Sequence, residues 1–541
     1  MKEIYSKTMY VVFFLIIQAM LVNIHGQLPA EMPRSTPEME GVSSAGIIDF
    51  INAVDTGRQE IHSFMFIRHG KVIAEGWWSP YGPEYKHLLY SASKTFTATA
   101  VGLAVSEGLL KTSDKVISFF PYSLPDSVGS YMRNLTVRDL LTMSVGQEQE
   151  PRAMGAGGDW ISLFISTEPD HQPGTVFKYN NMATFMLSAI VQQVTGQTTF
   201  DYLLPGIFKP LGIRGADWDL NPQGINLGMI GLRLRTEDLA KFGQLLMQEG
   251  AWNKKQLLPK EWVREATSFK IKTPPPENNQ PAELSDWSQG YAYQMWRGRN
   301  NTVRLDGMAG QFVVLIPDKD AIVVMTANAR NTQDELNYMH DYLIPAIKSD
   351  RALPANQDVY DELKRKQEQL SIKSSVSKLS DSELETRING KEFNLDNNNY
   401  NIESLYFAFS NEGLTFAIKR DNIISTVKAG PGQWRMSNSA SSSLLTPSRG
   451  TFSKSIDANY SVTQPPVKTG ASYAWTDKST LEITARFVEE SLGAQTIVCR
   501  FSETGGVTRI SVGPAAAGPQ AGGPGGMSQA PQLRGVMVDI Q

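Results

Sequence analysis

The stretch Leu-Leu-Tyr-Ser-Ala-Ser-Lys-Thr-Phe-Thr-Ala-Thr-Ala, Leu88–Ala100, decides how this chain is read. It places Ser91 and Lys94 three residues apart at the mouth of an apolar helical segment, Thr95–Leu110. With Ser91 as the first helical residue, Lys94 lies one turn on, beside the hydroxyl. A serine hydroxyl is a poor nucleophile until a neighbouring base takes its proton. A lysine that burial has stripped of its charge is such a base. The helix start also turns free N–H groups toward a developing oxyanion. The plain alternative is a serine N-cap followed by a snorkelling lysine.

The same spacing recurs at Ser375–Lys378 and at Ser425–Lys428. The first lies in a polar stretch. The second lies in a strand-like run, where residues three apart point to opposite faces. Only Ser91 opens a long apolar helix.

Around that helix the pattern alternates in a definite order. Ser43–Val54 reads as an amphipathic helix, and Phe64–Arg68 with Val72–Trp78 as a strand pair. Helical spacing returns at Thr136–Met143, with Thr136 as N-cap, at Met182–Thr195 and at Thr236–Glu249. Strands resume at Gly290–Trp296, Thr302–Leu305, Phe312–Pro317 and Ala321–Thr326, and a helix over Thr332–Ile347 closes the unit. Strands at both ends with helices between them imply an α+β fold, one antiparallel sheet flanked by helices. Lys348–Lys378 is polar and proline-interrupted, with a helix expected over Asp358–Leu370. From Asn389 to Val512 the signal is all-β, a barrel or sandwich, and Gly513–Gly526 is rich in Gly, Pro and Ala.

Composition narrows the function. The chain has 541 residues and a net charge of -4, which offers no basic footprint for nucleic acid. Lys2 and Lys7 precede the apolar run Met9–Val22, and Gly26 precedes polar Gln27. That is the form of a cleaved signal peptide, with an uncleaved anchor as the alternative. The expected location is periplasmic or secreted, with no stable membrane span after removal of the signal. The single cysteine, Cys499, reads as a small buried hydrophobe. The six histidines show no metal-ligand spacing, and there is neither a Gly-x-Ser-x-Gly elbow nor a P-loop. No cofactor is expected.

A serine–lysine pair needs a second polar group to carry the proton to the leaving group. Phe177-Lys178-Tyr179-Asn180-Asn181 follows a Pro-Gly turn and runs into a helix start, so Tyr179 and Asn181 are candidates. An amphipathic rim role for Tyr179 and an N-cap role for Asn181 stay open. A strand beside the nucleophile should supply a backbone N–H, and Arg304-Leu-Asp-Gly-Met-Ala-Gly-Gln311 sits where one is needed. Gly307 and Gly310 permit close backbone approach.

Tyr90–Phe96, Tyr179–Asn181, Leu135–Met143, Leu239–Leu246 and Trp287–Trp296 together resemble the serine β-lactamase and penicillin-binding-protein superfamily, in its class C β-lactamase and carboxylesterase branch. The resemblance runs in one order over roughly residues 35 to 350. It implies a β-lactamase-like fold with an all-helical subdomain, followed here by the all-β extension. It implies Ser91 as acylated nucleophile, Lys94 as proton acceptor, Tyr179 as second base or acid, and Asn181 as a substrate or lysine contact. The oxyanion hole would use the Ser91 N–H and one from the 305–311 strand.

The third motif departs from the family's Lys-Thr-Gly or His-Thr-Gly. One register places Leu305-Asp306-Gly307 there, with the Met308 N–H in the hole. A second uses Met308-Ala309-Gly310 and the Gln311 N–H. The first keeps the turn length and is preferred. Either way the cation that holds a substrate carboxylate in the family is replaced by Leu305 or Met308, and Asp306 beside it repels one. A true Lys-Thr-Gly, Lys468–Gly470, lies in the β-rich extension and reads as chance.

The expectation is an exported serine hydrolase that forms an acyl-Ser91 intermediate on a small uncharged or amine-bearing ester or amide. An acyltransferase, a β-lactamase or D,D-peptidase, and a binding protein of the same fold are the alternatives. The expected layout is a signal peptide over 1–26, the hydrolase unit over 27–350, a linker over 351–385, the β-rich domain over 386–512 and a flexible tail over 513–541.

Overall fold

Alternation along the longest apolar strands divides the core in two. In the strand Glu60–Arg68, Met65 and Ile67 face one set of helices, while Phe64 and Phe66 face the other. The computed structural model describes residues 31–154, 158–276, 281–374, 383–445, 453–456, 467–490, 492–515 and 532–538. The expected signal peptide and the Ser375–Lys378 pair lie outside them.

A six-stranded antiparallel sheet is the backbone of the first unit. Its order is Lys71–Trp77, Glu60–Arg68, Ala321–Asn328, Gln311–Ile316, Val303–Gly307 and Trp296–Arg297. One face packs on Ser44–Thr56 and Thr332–Tyr338. The other packs on the helical layer built from Ser93–Ser106, Asn181–Thr195 and Thr236–Met247. Ser93–Ser106 is buried from Ser93 through Ala104, all the way round, in keeping with a run in which Lys94 is the only charged residue. Thr136 caps Val137–Leu141 in a reciprocal capping box with Asp139, and Gly196 ends Asn181–Thr195 in the left-handed conformation.

The second unit is a closed nine-stranded barrel. Eight antiparallel pairings join its strands, and a short parallel one, Gly430 with Ser472 and Pro431 with Tyr473, closes the ring. Leu405, Phe407, Phe416, Trp475 and Cys499 fill the interior. Burial pushes the Cys499 thiol well above its ordinary range, so it is an inert core residue.

Four sequence expectations change. Gly290–Trp296 is mostly turn, with only Trp296–Arg297 in the sheet, because its aromatic side chains pack sideways on one another rather than across a ladder. The closing helix is α-helical over Thr332–Tyr338 and becomes a π-turn at Met339–Leu343. The linker carries the helix Gln357–Glu368, whose Leu363 is fully buried in the sheet's outer core. The tail is not flexible throughout. Leu533–Val538 is a barrel strand between Lys391–Leu395 and Val507–Pro514, with Leu533 and Gly535 turned inward.

The two units share a sheet. Lys454–Ile456 from the barrel half pairs with Asp217–Asp219, which pairs with Leu232–Leu234, which pairs with His87–Leu88. The last of these strands leads straight to Ser91.

Candidate active site

Ser91 sits on a 3₁₀ turn, Tyr90–Ala92, and the α-helix proper starts at Ser93. Tyr90 holds a φ of 47°, a left-handed conformation that bulky side chains avoid and that tight surroundings must enforce. The turn still brings Lys94 under Ser91. Lys94 is 1% exposed, and its Nζ lies 3.3 Å from Ser91 Oγ, 2.8 Å from Asn181 Oδ1 and 3.1 Å from the Met229 carbonyl.

Those three distances fix how a neutral Lys94 would share out its protons. A neutral amine has two N–H groups and one lone pair. The two shorter contacts are to carbonyl oxygens, which only accept. They take both N–H groups and leave the lone pair facing the Ser91 hydroxyl. Burial lowers the Lys94 ammonium to about 7, against the opposing pull of Glu150 and Asp306. That lowering favours the neutral amine, the form that is aimed to accept a proton from Ser91.

Tyr179 closes the other side of Ser91. Its hydroxyl hydrogen-bonds Ser91, and burial pushes it well above the ordinary phenol range. A phenol held neutral is suited to pass a proton on rather than to start by taking one. Its ring stacks on Trp296 at 5.9 Å and lies 5.0 Å from Lys94 Nζ. Phe177 and Tyr291 complete that aromatic wall.

Asn180, not Asn181, is the N-cap of Asn181–Thr195, and its side chain accepts from the Ala183 N–H. Asn181 is thereby free to face the site. Glu150, which belongs to no motif, orients it. Its carboxylate accepts the backbone N–H and, at 2.9 Å, the Nδ2 of Asn181, together with the Met182 N–H at 3.2 Å. An acceptor-only carboxylate fixes the amide, so Asn181 Oδ1 must point at Lys94.

The third element is the hairpin of Val303–Gly307 and Gln311–Ile316, in which Gly307 opposes Gln311 across the turn Met308-Ala309-Gly310. A Cβ on Gly307 would lie 2.2 Å from the Leu89 carbonyl, so the backbone here abuts the nucleophile segment. Gly307→Ala is expected to cost about 1–3 kcal/mol through overpacking and to push Leu89–Ser91 out of place. A thermal melt read beside turnover checks this, and an unchanged turnover would deny the contact its importance.

Leu305 is fully buried in the helical core, while Arg304 and Asp306 occupy the opposite face, as alternation requires. Arg304 pairs with Asp306 at 2.9 Å and lies over the Trp287 ring at 4.6 Å. Burial raises the Asp306 carboxyl and Arg304 opposes that rise. Met308 stands 55% exposed at the turn. The Gln311 amide braces the turn, donating to the Met308 and Ala327 carbonyls at 3.0 and 2.8 Å. Among the described residues no group of three or more His, Cys, Asp or Glu is arranged to hold a metal ion.

The Beta-lactamase family model matches residues 53–346. A 6-aminohexanoate-dimer hydrolase of Paenarthrobacter ureafaciens is 22% identical over 285 residues, 48% of this chain and 71% of that protein. The Staphylococcus aureus protein flp is 26% identical over 160 residues, 28% of this chain and 32% of its own length. Among solved structures, the octameric penicillin-binding protein homologue of Pyrococcus abyssi aligns over 91% of this chain and 98% of its own, at 14% identity and a TM-score of 0.44. A D-stereospecific amidohydrolase of Streptomyces aligns over 55% and 98%, at 18% identity and a TM-score of 0.43.

Proposed function

The chain belongs to the beta-lactamase family, and from that premise we propose that it is an exported serine hydrolase cleaving a small, uncharged ester or amide through an acyl-Ser91 intermediate. One observation carries the reading. Lys94 Nζ lies 2.8 Å from Asn181 Oδ1, 3.1 Å from the Met229 carbonyl and 3.3 Å from Ser91 Oγ, an arrangement in which the neutral amine gives its two N–H groups to the carbonyls and turns its lone pair to Ser91. Lys94 takes the Ser91 proton as Oγ attacks the carbonyl carbon. Tyr179 passes a proton to the leaving oxygen or nitrogen. Water, activated in the reverse sense, then releases the acid. The 6-aminohexanoate-dimer hydrolase among the similar proteins supports a hydrolytic outcome. An alcohol or amine in place of water makes acyl transfer the adjacent reaction. Mixing the protein with an acyl donor and an alcohol, and comparing acid with ester product, separates the two. Lys2, Lys7 and the apolar run Met9–Val22 support export.

The substrate class follows from charge. Leu305 is buried in the core, Met308 is apolar, and Arg304 is engaged by Asp306 and Trp287. The hairpin therefore offers a substrate carboxylate no cation. Nitrocefin turnover is expected to fall at least about 100-fold below turnover of a short neutral ester, the loss of roughly one charge-assisted contact. Rapid nitrocefin hydrolysis would overturn the assignment of a neutral substrate. Fluorophosphonate labelling of Ser91, read by mass spectrometry, tests the mechanism itself. A folded protein that resists the label belongs instead to the binding proteins of this fold.

A further inference from the structure

A chain of buried contacts runs from the barrel to the residues just ahead of Ser91. Arg486, on the barrel strand Thr480–Phe487, makes a two-pronged pair with Glu60 at 2.8 and 2.7 Å. Glu60 lies 3.0 Å from His62 Nε2, and His62 Nδ1 lies 2.8 Å from His87 Nε2. Both rings are essentially buried, His62 at 0% and His87 at 4% exposure. The Tyr81 ring stacks on His62 at 3.8 Å, and its hydroxyl donates to the barrel's Leu492 carbonyl at 3.3 Å.

Chemistry orders these contacts in one direction. The Glu60 carboxylate accepts, so His62 Nε2 carries its proton and His62 Nδ1 is the acceptor. With both rings neutral, the contact between them requires His87 Nε2–H as donor, and His87 Nδ1, 3.2 Å from the Leu88 carbonyl, then has no proton to give it. Burial lowers both imidazoles and keeps them neutral, against Glu60, which favours the charged His62. The charged groups facing the pair are Glu60 from its own strand and Arg486 from the barrel.

His87 begins the two-residue strand that leads to the nucleophile. His87 and Leu88 pair with Leu234 and Arg233, and the Leu89 N–H donates to the Leu232 carbonyl at 2.9 Å. The left-handed Tyr90 and then Ser91 follow. The far side of the same small sheet is the barrel-half strand Lys454–Ile456. Arg233, in its middle, pairs with Asp217, Asp219 and the barrel's Glu490. The barrel therefore grips the nucleophile segment twice, by strand addition and through the two histidines.

We propose that the barrel is a positioning module for Ser91, and that His87 is the positioning residue through which Arg486, Glu60 and His62 fix the Leu88–Ser91 turn. The proposal rests on Ser91 being the nucleophile. A shift of about 1 Å in a reacting group costs on the order of 100-fold in rate, so a short strand and a strained turn need such bracing.

The test is the rate constant for fluorophosphonate labelling of Ser91 in the full-length protein, per folded molecule, well below each variant's melting temperature. His87→Ala and Arg486→Gln should each slow labelling by about tenfold or more, while KM for a neutral ester stays nearly constant. His87→Gln places an amide N–H near the lost Nε2 and should restore labelling to within about threefold of wild type. Should His87→Ala not fold, Tyr81→Phe removes the hydroxyl that meets the barrel's Leu492 carbonyl and Arg486 and should slow labelling by about threefold. Labelling of the folded variants at the wild-type rate, or His87→Gln no faster than His87→Ala, overturns the proposal. A wild-type protein that does not label at all overturns the proposed function instead.

Discussion

Ser91→Ala is expected to abolish covalent labelling and to lower ester turnover by about 10⁴- to 10⁶-fold, the range seen when a serine nucleophile is removed from a preorganised site. The fold should survive. Ser91 lies on a 3₁₀ turn and only partly buried, and its hydroxyl caps no helix. The variant's melting temperature should therefore stay close to wild type while intact-protein mass spectrometry shows no acyl adduct. A variant that keeps turnover within about tenfold of wild type would mean that another group attacks the carbonyl. The neighbouring hydroxyl of Ser93 is poorly placed for that role, since it is fully buried and accepts the Leu232 N–H at 3.3 Å.

The second large effect is on Lys94 and has two readouts with opposite character. If neutral Lys94 is the base, kcat/KM rises with pH and levels off above about 7. Lys94→Met should remove that limb and lower kcat/KM by about 10²- to 10⁴-fold. Stability carries the same titration. The folded protein holds this amine at about 7, whereas the unfolded chain holds it near its ordinary 10.5. Between those values the unfolded chain binds the extra proton, so stability rises with pH across the window. Below about 7 the whole penalty applies, on the order of 5 kcal/mol, and above 10.5 it vanishes. Denaturant midpoints at pH 7 and pH 9.5 should therefore differ more for wild type than for Lys94→Met. Parallel curves for the two proteins would mean that Lys94 stays charged in the fold and is no base. A buried lysine that destabilises the fold near neutral pH is a cost that a catalytic role explains and a structural role does not.

The part of the site legible in sequence was the part that a few adjacent residues write. Ser91 and Lys94 share a turn at the mouth of an apolar helix, and Tyr179 and Asn181 sit together on the run into another, so local context marked each pair and the family resemblance gave them their expected roles. The hairpin was visible through its glycines and its departure from the family through Leu305. Glu150 was not visible, because its meaning comes from the loop that folds it onto Asn181. The histidine pair was hidden for the same reason, since His62 and His87 belong to different strands and meet only in three dimensions. Gly290–Trp296 imitated a strand because aromatic residues favour strands, yet Trp296 and Tyr291 serve the wall behind Tyr179. Leu533–Val538 was concealed by its setting. A six-residue strand after a Gly/Pro-rich run gives little periodicity to read, and its identity comes from the open barrel edge that it fills.

The strand Lys454–Ile456 gives the protein a schedule. During synthesis Asp217–Asp219 emerges long before its partner, and domains fold largely in the order in which they appear. Until the later half arrives, the small sheet ends in a bare edge and Arg233 lacks Glu490. The nucleophile's own strand lies at the other side of that unfinished sheet. On the positioning role proposed for the barrel, a nascent or truncated copy would carry Ser91 on an unbraced turn and should label more slowly than the whole chain.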